Sequence, residues 1–119
     1  MKIAHVTIQT DKFDEEVRFY EEQTELKVQR DMRPVGRNMV FLADAAGDTC
    51  IEIIENKDAA DSGNPNFSIG FHTDDVAGKR EALAAAGYDV TPMITPMPDV
   101  KFFFVKDPNG VSIQFIQEL

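Results

Sequence analysis

The chain has one cysteine, a shortage of basic residues and no long apolar run, and each scarcity excludes a class of protein. A single cysteine excludes an intramolecular disulfide, so we expect a reducing compartment and a cytoplasmic protein. Lysine and arginine number 12 against 21 acidic residues, which leaves no basic surface for nucleic acid. No run of about 18 apolar residues and no signal-type start is present, so we expect neither a membrane span nor export.

An internal repeat is the main positive feature of the sequence. Residues 40–56 align with residues 102–118 at an offset of 62, without a gap and with three identities. At an offset of 63, residues 5–11 fall on residues 68–74. The agreement of strand parity and turn position indicates that one unit of about 60 residues has been duplicated.

Each half has the pattern of a strand, a helix and three further strands. Period-two alternation predicts the strands, and the spacing of apolar residues after Asp11, a candidate N-cap, predicts the first helix. The predicted strands lie at 2–9, 27–33, 38–43, 49–55, 67–73, 88–95, 101–106 and 111–117, and the second helix at 75–86. We therefore expect an α+β fold of two paired βαβββ modules, residues 1–56 and 67–119, joined by a polar linker at 57–66 into one domain over 1–119.

Strand parity assigns each side chain to one of two sheet faces. One face packs under the helix; the other, which we call the open face, is left to form a cleft when two modules pair. The predicted helix face holds Val6, Ile8, Val40, Leu42, Ile51, Ile53, Ile69, Phe71, Phe102, Phe104, Ile113 and Phe115. The predicted open face holds His5, Thr7, Gln9, Phe41, Cys50, Glu52, Ile54, Ser68, Gly70, His72, Lys101, Phe103, Ser112, Gln114 and Ile116. This mixture of polar and apolar groups suits a small-molecule site.

Several short motifs, taken together, resemble the vicinal oxygen chelate superfamily. That family includes glyoxalase I, extradiol dioxygenases, fosfomycin-resistance transferases and bleomycin-binding proteins. The motifs are His5 on the first strand, Phe19-Tyr20, Ile51-Glu52, Asp74-Asp75-Val76, and Asp107-Pro108-Asn109-Gly110 four residues before Gln114. The resemblance covers essentially the whole chain and implies a paired βαβββ fold, commonly a homodimer, with a divalent metal held by one residue from each of four cleft strands.

The same resemblance implies an incomplete set of metal ligands. His5, Glu52 and Gln114 take three of the four positions, and Ser68 takes the position that is usually histidine. His72 lies four residues further along the strand, ~13 Å away, which is far beyond a metal–imidazole bond of ~2.0–2.1 Å. We expect these four residues to converge in the cleft of a symmetric homodimer, with His72 towards its mouth. Either a weak Ni²⁺, Co²⁺, Mn²⁺ or Zn²⁺ site or no metal follows.

Two functions remain open. The first is a glyoxalase I-like lyase or isomerase, in which Glu52 removes a proton next to a carbonyl and His5 is a ligand or orients Glu52. The second is a metal-free protein that binds a small molecule or an antibiotic without catalysis, as the bleomycin-binding relatives do. The expected ligand contacts are Gln9, Phe41, Cys50, Ile54, Asn56, Ser68, His72, Lys101 and Phe103.

Overall fold

The computed structural model describes residues 1–60 and 63–119, which form two compact units, Met1–Ser62 and Gly63–Leu119. The first unit contains β1 (His5–Thr10), α1 (Phe13–Gln23), β2 (Lys27–Asp31), a 3₁₀ turn (Arg33–Val35), β3 (Met39–Ala43) and β4 (Cys50–Glu55). The second contains β5 (Ser68–His72), α2 (Val76–Ala85), β6 (Ile94–Met97), β7 (Val100–Lys106) and β8 (Ser112–Glu118). Neither described helix is long and apolar enough to cross a membrane.

The predicted pair of βαβββ modules is confirmed. The strand order is β1-β4-β3-β2 in the first sheet and β5-β8-β7-β6 in the second, so both units share one topology. In each sheet the first strand runs parallel to the last, and the remaining pairs are antiparallel. This shared arrangement is the structural counterpart of the sequence repeat. That the two units make a single domain stays a prediction.

In the first unit the helix face follows the predicted parity. Ile8, Leu42 and Ile53 are buried at alternate positions of their strands, while Val17 and Tyr20 are buried three residues apart on α1. Side chains three or four residues apart lie on one side of a helix, so α1 presents a continuous apolar stripe to the sheet. The opposite sheet face is thereby left to the polar members of β1 and β4.

The two helices begin differently. Asp11 was expected to cap α1, but the N-cap is Lys12, no side chain caps this helix, and the Asp11 carboxylate lies 3.4 Å from Lys12 Nζ instead. That expectation is wrong. In α2 the N-cap is Asp75, whose carboxylate accepts a hydrogen bond from Gly78 N at 3.0 Å and satisfies one of the free amides of the first turn.

The second unit departs from the predicted faces along β7. Phe103 is completely buried, lies opposite Phe115 in the ladder and stacks on its ring at 5.6 Å between centroids. Residues opposite each other in an antiparallel ladder project from the same face, so Phe103 belongs to the helix face. By the same alternation Phe102 and Phe104 lie on the open face. The predicted faces of these three phenylalanines are wrong.

Lys101 follows Phe103 onto the helix face. It lies opposite Gln117, whose side-chain oxygen accepts a hydrogen bond from Val76 N at the start of α2. The predicted place of Lys101 on the open face is therefore also wrong.

One inserted residue explains this error. Gly47 and Gly110 both have positive φ, 72° and 83°, and take the same place in the turns after β3 and β7. Asp48 and Thr49 separate Gly47 from β4, whereas Val111 alone separates Gly110 from β8. The repeat therefore has an offset of 63 before the glycine and 62 after it. Because the side-chain period of a strand is two, the ungapped alignment assigned residues 101–104 of β7 to the wrong faces.

The strand predicted at 88–95 is mostly replaced by an isolated bridge. Val90 pairs with Val105, and a regular strand forms only at Ile94–Met97. Pro92 lies between them, and proline has no amide hydrogen to donate to a ladder.

Candidate functional site

The open face of the first unit is centred on Glu52. Parallel pairing of β1 and β4 places Thr7 opposite Glu52, and Thr7 Oγ1 donates a hydrogen bond to Glu52 Oε1 at 2.6 Å. His5 Nε2 lies 3.7 Å from the same oxygen. The Glu52 side chain is 11% exposed and that of His5 45%. The unit thus holds a nearly buried carboxylate, fixed by a hydroxyl, with an imidazole beside it.

Thr7 is a site residue that sequence reasoning placed on the open face but did not select. The pairing of the first and fourth strands would have identified Thr7, because their parallel register places Thr7 opposite Glu52. Strand parity finds the face of a residue, but the partner across the ladder appears only when the register is known.

Aromatic and thiol groups border this carboxylate. The His5 ring meets the Phe41 ring edge-on at 6.0 Å between centroids, and the Arg30 guanidinium lies 5.9 Å from the Phe41 centroid. Cys50 is half-buried, and its thiol donates a hydrogen bond to Gln29 Oε1 at 3.1 Å. Phe41 therefore provides the apolar border of the site, while the Cys50 thiol already has a partner.

The far end of the same face carries amides. Asn56 Nδ2 donates to Gln9 Oε1 at 2.7 Å, and Ile54 is half-buried on β4 between Glu52 and Asn56. The predicted contact residues of this unit lie along one open face: His5, Gln9, Phe41, Cys50, Glu52 and Ile54, with Asn56 just beyond β4.

Arg33, on the connection between β2 and β3, forms an ion pair with Asp31. Its Nε and Nη2 donate to the two Asp31 carboxylate oxygens, each at 2.9 Å. These hydrogen bonds lower the pKa of Asp31 and raise the pKa of Arg33. Arg33 is therefore a poor candidate for holding a ligand.

In the second unit Ser68 takes the place that His5 has in the first. Each begins the parallel pair of its sheet, His5 opposite Cys50 and Ser68 opposite Ser112. Gln114 lies opposite Gly70, and its Oε1 would be 3.1 Å from a Cβ added there, so the amide occupies the space over the glycine.

His72 lies apart from Ser68 within the second unit. Four residues of strand, ~13 Å, separate the two. His72 Nδ1 is 3.8 Å from Glu118 Oε1, and its side chain is 79% exposed. His72 therefore does not replace the imidazole missing at Ser68 within this sheet.

A cavity of about 690 Å³ opens beside Ser68. Its volume falls in the range of small-molecule sites, ~300–1,000 Å³. It is lined by Pro65, Asn66, Phe67, Ser68, Asp89, Val90, Thr91, Pro92, Phe104, Val105, Lys106 and Ser112. All of these belong to the second unit. Of the predicted ligand contacts in this unit, the cavity includes Ser68 but not His72, Lys101 or Phe103.

The donor set fits a tightly bound metal poorly. Two ligands of one ion with bonds of ~2.1 Å lie ~3–3.4 Å apart, so His5 and Glu52, at 3.7 Å, are close to a suitable spacing. Zinc sites take at least three protein ligands, however. Among residues 1–60 and 63–119, no group of three or more His, Cys, Asp or Glu side chains is placed to hold an ion. Ser68 and Gln114 offer only neutral oxygens and belong to the other unit, so their convergence with His5 and Glu52 stays a prediction.

Comparison with known proteins places this fold. A sequence model of the Glyoxalase/Bleomycin resistance protein/Dioxygenase superfamily matches residues 2–115. No curated protein sequence matches the chain significantly.

Three solved structures illustrate the similarity. A possible glyoxalase from Bacillus cereus superposes with a TM-score of 0.78 at 19% identity, covering 97% of both chains. The fosfomycin resistance protein FosX from Listeria monocytogenes gives 0.77 at 14% identity, covering 98% of this chain and 91% of that one. TnmS3, an antibiotic binding protein from Streptomyces sp. CB03234, gives 0.76 at 18% identity, covering 100% and 97%.

These likenesses establish the fold, and the sequence match spans nearly every described element, including the strands that carry Glu52 and Ser68. The chain belongs to the glyoxalase/bleomycin resistance protein/dioxygenase superfamily, the vicinal oxygen chelate proteins.

Proposed function

We propose that this protein binds a small organic molecule on the open faces of its sheets and does not need a tightly held metal to do so. The cavity of about 690 Å³ carries this proposal. Its lining is apolar at Phe67, Val90 and Phe104, and Ser68 and Ser112 add polar residues to it. A concave, mostly apolar surface with a few polar groups is typical of ligand sites. Structural similarity to an antibiotic binding protein supports the same function.

The chemistry of the donors supports binding without a metal. The position equivalent to His5 carries a serine, and the Glu52 carboxylate is already held by Thr7 at 2.6 Å. A serine hydroxyl and a glutamine amide are weak ligands for the borderline-soft ions that imidazole favours.

Metal content and ligand binding test the proposal together. Protein purified without chelator is analysed for Ni, Co, Mn and Zn, and a library that includes antibiotics is screened by thermal shift with and without EDTA. We expect substoichiometric metal and ligands that raise the Tm equally in both conditions. Stoichiometric metal, with ligand binding lost in EDTA, restored by Ni²⁺ and abolished by His5→Ala, would overturn the metal-free mode.

A second candidate is a glyoxalase I-like lyase or isomerase, and one observation favours it. Glu52 is a nearly buried carboxylate on an open face, and no described residue donates a hydrogen bond to its Oε2. A carboxylate held by one oxygen leaves the other free to take a proton next to a carbonyl.

The assay for this candidate follows isomerisation of the hemithioacetal of methylglyoxal and glutathione. Turnover that falls ~100-fold or more in Glu52→Gln would support catalysis by Glu52. Turnover that is absent from the wild type, or unchanged in the variant, would exclude this role.

A further inference from the structure

Four polar residues that line the cavity of the second unit form a row across neighbouring segments. Ser68 lies opposite Ser112, and Ser112 lies opposite Lys106. The antiparallel bridge between Val90 and Val105 then sets Asp89 beside Lys106. All four residues line the cavity. At one end of this sheet, two hydroxyls, an ammonium and a carboxylate therefore lie side by side on neighbouring segments.

The row is electrically neutral and available for binding. Lys106 and Asp89 carry opposite charges on neighbouring segments, so the row has no net charge. Within the described residues, none of the four side chains forms a hydrogen bond or ion pair with another side chain. A ligand in the cavity therefore meets donors and acceptors that are not already occupied by the protein.

An aromatic surface adjoins this row. Phe104 is half-buried on the same open face, and its ring meets the Phe102 ring edge-on at 5.7 Å between centroids. Phe67, 49% exposed, and Pro92 add further apolar wall. Such a surface favours a flat ring, because stacked or edge-on aromatic contacts add to the free energy of apolar burial.

We infer that this cavity selects a neutral planar aromatic molecule with hydroxyl or carbonyl groups along one edge; the inference rests on the proposed function. An anion would gain little from Lys106, since Asp89 lies beside it and the chain carries a net charge of −9. A cation would likewise gain little from Asp89, since Lys106 lies beside it. A neutral edge satisfies the hydroxyls of Ser68 and Ser112 and leaves neither Lys106 nor Asp89 without the opposite charge on the neighbouring segment.

The first unit shows that this chemistry is not a general property of the repeat. The same row there runs from His5 to Cys50, Ala43 and Lys27. A buried methyl group stands where Lys106 stands in the second unit, and an imidazole stands where Ser68 stands. The two copies have diverged into different surfaces, so the neutral row is specific to the second unit.

Three matched probes test the selectivity: a naphthol, a naphthoate and a naphthylmethylamine, which share one ring system and differ in charge. Binding is measured by calorimetry and mapped by amide chemical shifts. We expect the naphthol to bind most tightly and to shift the amides around Ser112 and Phe104. Phe104→Leu should weaken it about tenfold, whereas Phe102→Leu, on the same strand and face but outside the cavity, should change it less than about threefold.

Changes of charge sharpen the test. Asp89→Asn leaves Lys106 uncompensated and should switch the preference to the naphthoate. Lys106→Met leaves Asp89 uncompensated and should switch it to the naphthylmethylamine. The double variant, with both charges removed, should again prefer the naphthol. A structural role for these two residues would predict no such reversal.

The outcomes separate this inference from the proposed function. Tighter wild-type binding of either charged probe, equal effects of the Phe104 and Phe102 variants, or charge variants without reversal would overturn the inference. Failure of all three probes while a library compound binds elsewhere would also overturn it and leave the proposed function standing. Failure of every library compound would overturn the proposed function itself.

Discussion

Single residues decide what chemistry each open face offers. In the first unit the decisive contact is between Thr7 and Glu52, at 2.6 Å, because it fixes a carboxylate that is nearly removed from water. In the second unit Ser68 takes the position that His5 has in the first, so the His5 imidazole has no counterpart there. Two copies of one fold therefore present different functional groups.

Thr7→Val tests the fixing of Glu52. Valine keeps the shape of threonine but cannot donate, so the carboxylate loses its hydroxyl partner, and we expect the free energy of unfolding to fall by about 1–2 kcal/mol. Urea denaturation measures the change. Thr49→Val is the matched control, since the Thr49 hydroxyl donates to the exposed backbone oxygen of Ile3 and its loss should cost at most about 0.5 kcal/mol. Equal losses in the two variants would contradict the assigned role of Thr7.

Lys79 on α2 gives a prediction about pH. Its ammonium lies 5.1 Å from the Phe115 centroid, and burial lowers its pKa below the ordinary value of 10.5. The folded chain therefore releases this proton at a lower pH than the unfolded chain, and the contribution of Lys79 to stability improves as pH rises through that window towards 10.5. We expect the stability of Lys79→Met relative to wild type to be highest at neutral pH and to decline as the pH approaches 10.5.

Urea denaturation of both proteins at neutral pH and at pH about 10 measures this decline. Lys101→Met, which removes an exposed lysine on β7, is the control for the loss of one positive charge. The difference in the free energy of unfolding between Lys79→Met and wild type is corrected by the same difference for Lys101→Met. If the corrected difference stays constant with pH, the lowered pKa of Lys79 has no effect on stability.

At the scale of elements, the turns after β3 and β7 contain equivalent hydrogen bonds but differ in how deeply they are buried. Asp44 Oδ1 accepts hydrogen bonds from Ala46 N and Gly47 N, both at 3.1 Å. Asp107 Oδ1 accepts from Asn109 N and Val111 N, at 2.9 and 2.8 Å, in a buried setting. An aspartate side chain that accepts two backbone hydrogen bonds thus closes an exposed turn in one copy and a buried turn in the other.

This pair provides a matched test of burial. Asp107→Ala leaves two buried amides without their acceptor and should cost about 2–4 kcal/mol, while Asp44→Ala exposes its amides to water and should cost about 0.5–1 kcal/mol. Chemical denaturation of both variants gives the comparison. Similar losses in the two variants would mean that burial does not determine how much these hydrogen bonds stabilise the fold.

For the whole molecule, family membership and the shared topology of the two units are established, whereas assembly is a prediction. Members of the superfamily are often dimers, and we propose that this protein is a symmetric homodimer. Light scattering at micromolar concentration should then give a mass of twice 13.3 kDa. A mass of 13.3 kDa under those conditions would contradict the dimer.

Some features of this protein followed from the sequence alone, because they depend on local periodicity. Alternation along each strand and the helical spacing of Val17 and Tyr20 predicted the two βαβββ units, and the repeat placed Ser68 on the position of His5. These are patterns of residue spacing along the chain, and they can be recognised without knowing which distant segments pair.

Other features were decided only by the tertiary structure. One extra residue before β4 left the local pattern intact but made the ungapped repeat assign Phe103 and Phe104 to the wrong faces, since only cross-strand pairing reports register. The same pairing sets Thr7 in hydrogen-bond contact with Glu52, 45 residues away in the chain, and brings Asp89 to the level of Lys106. Local periodicity determines which elements form, whereas the contacts that create chemistry depend on how those elements align.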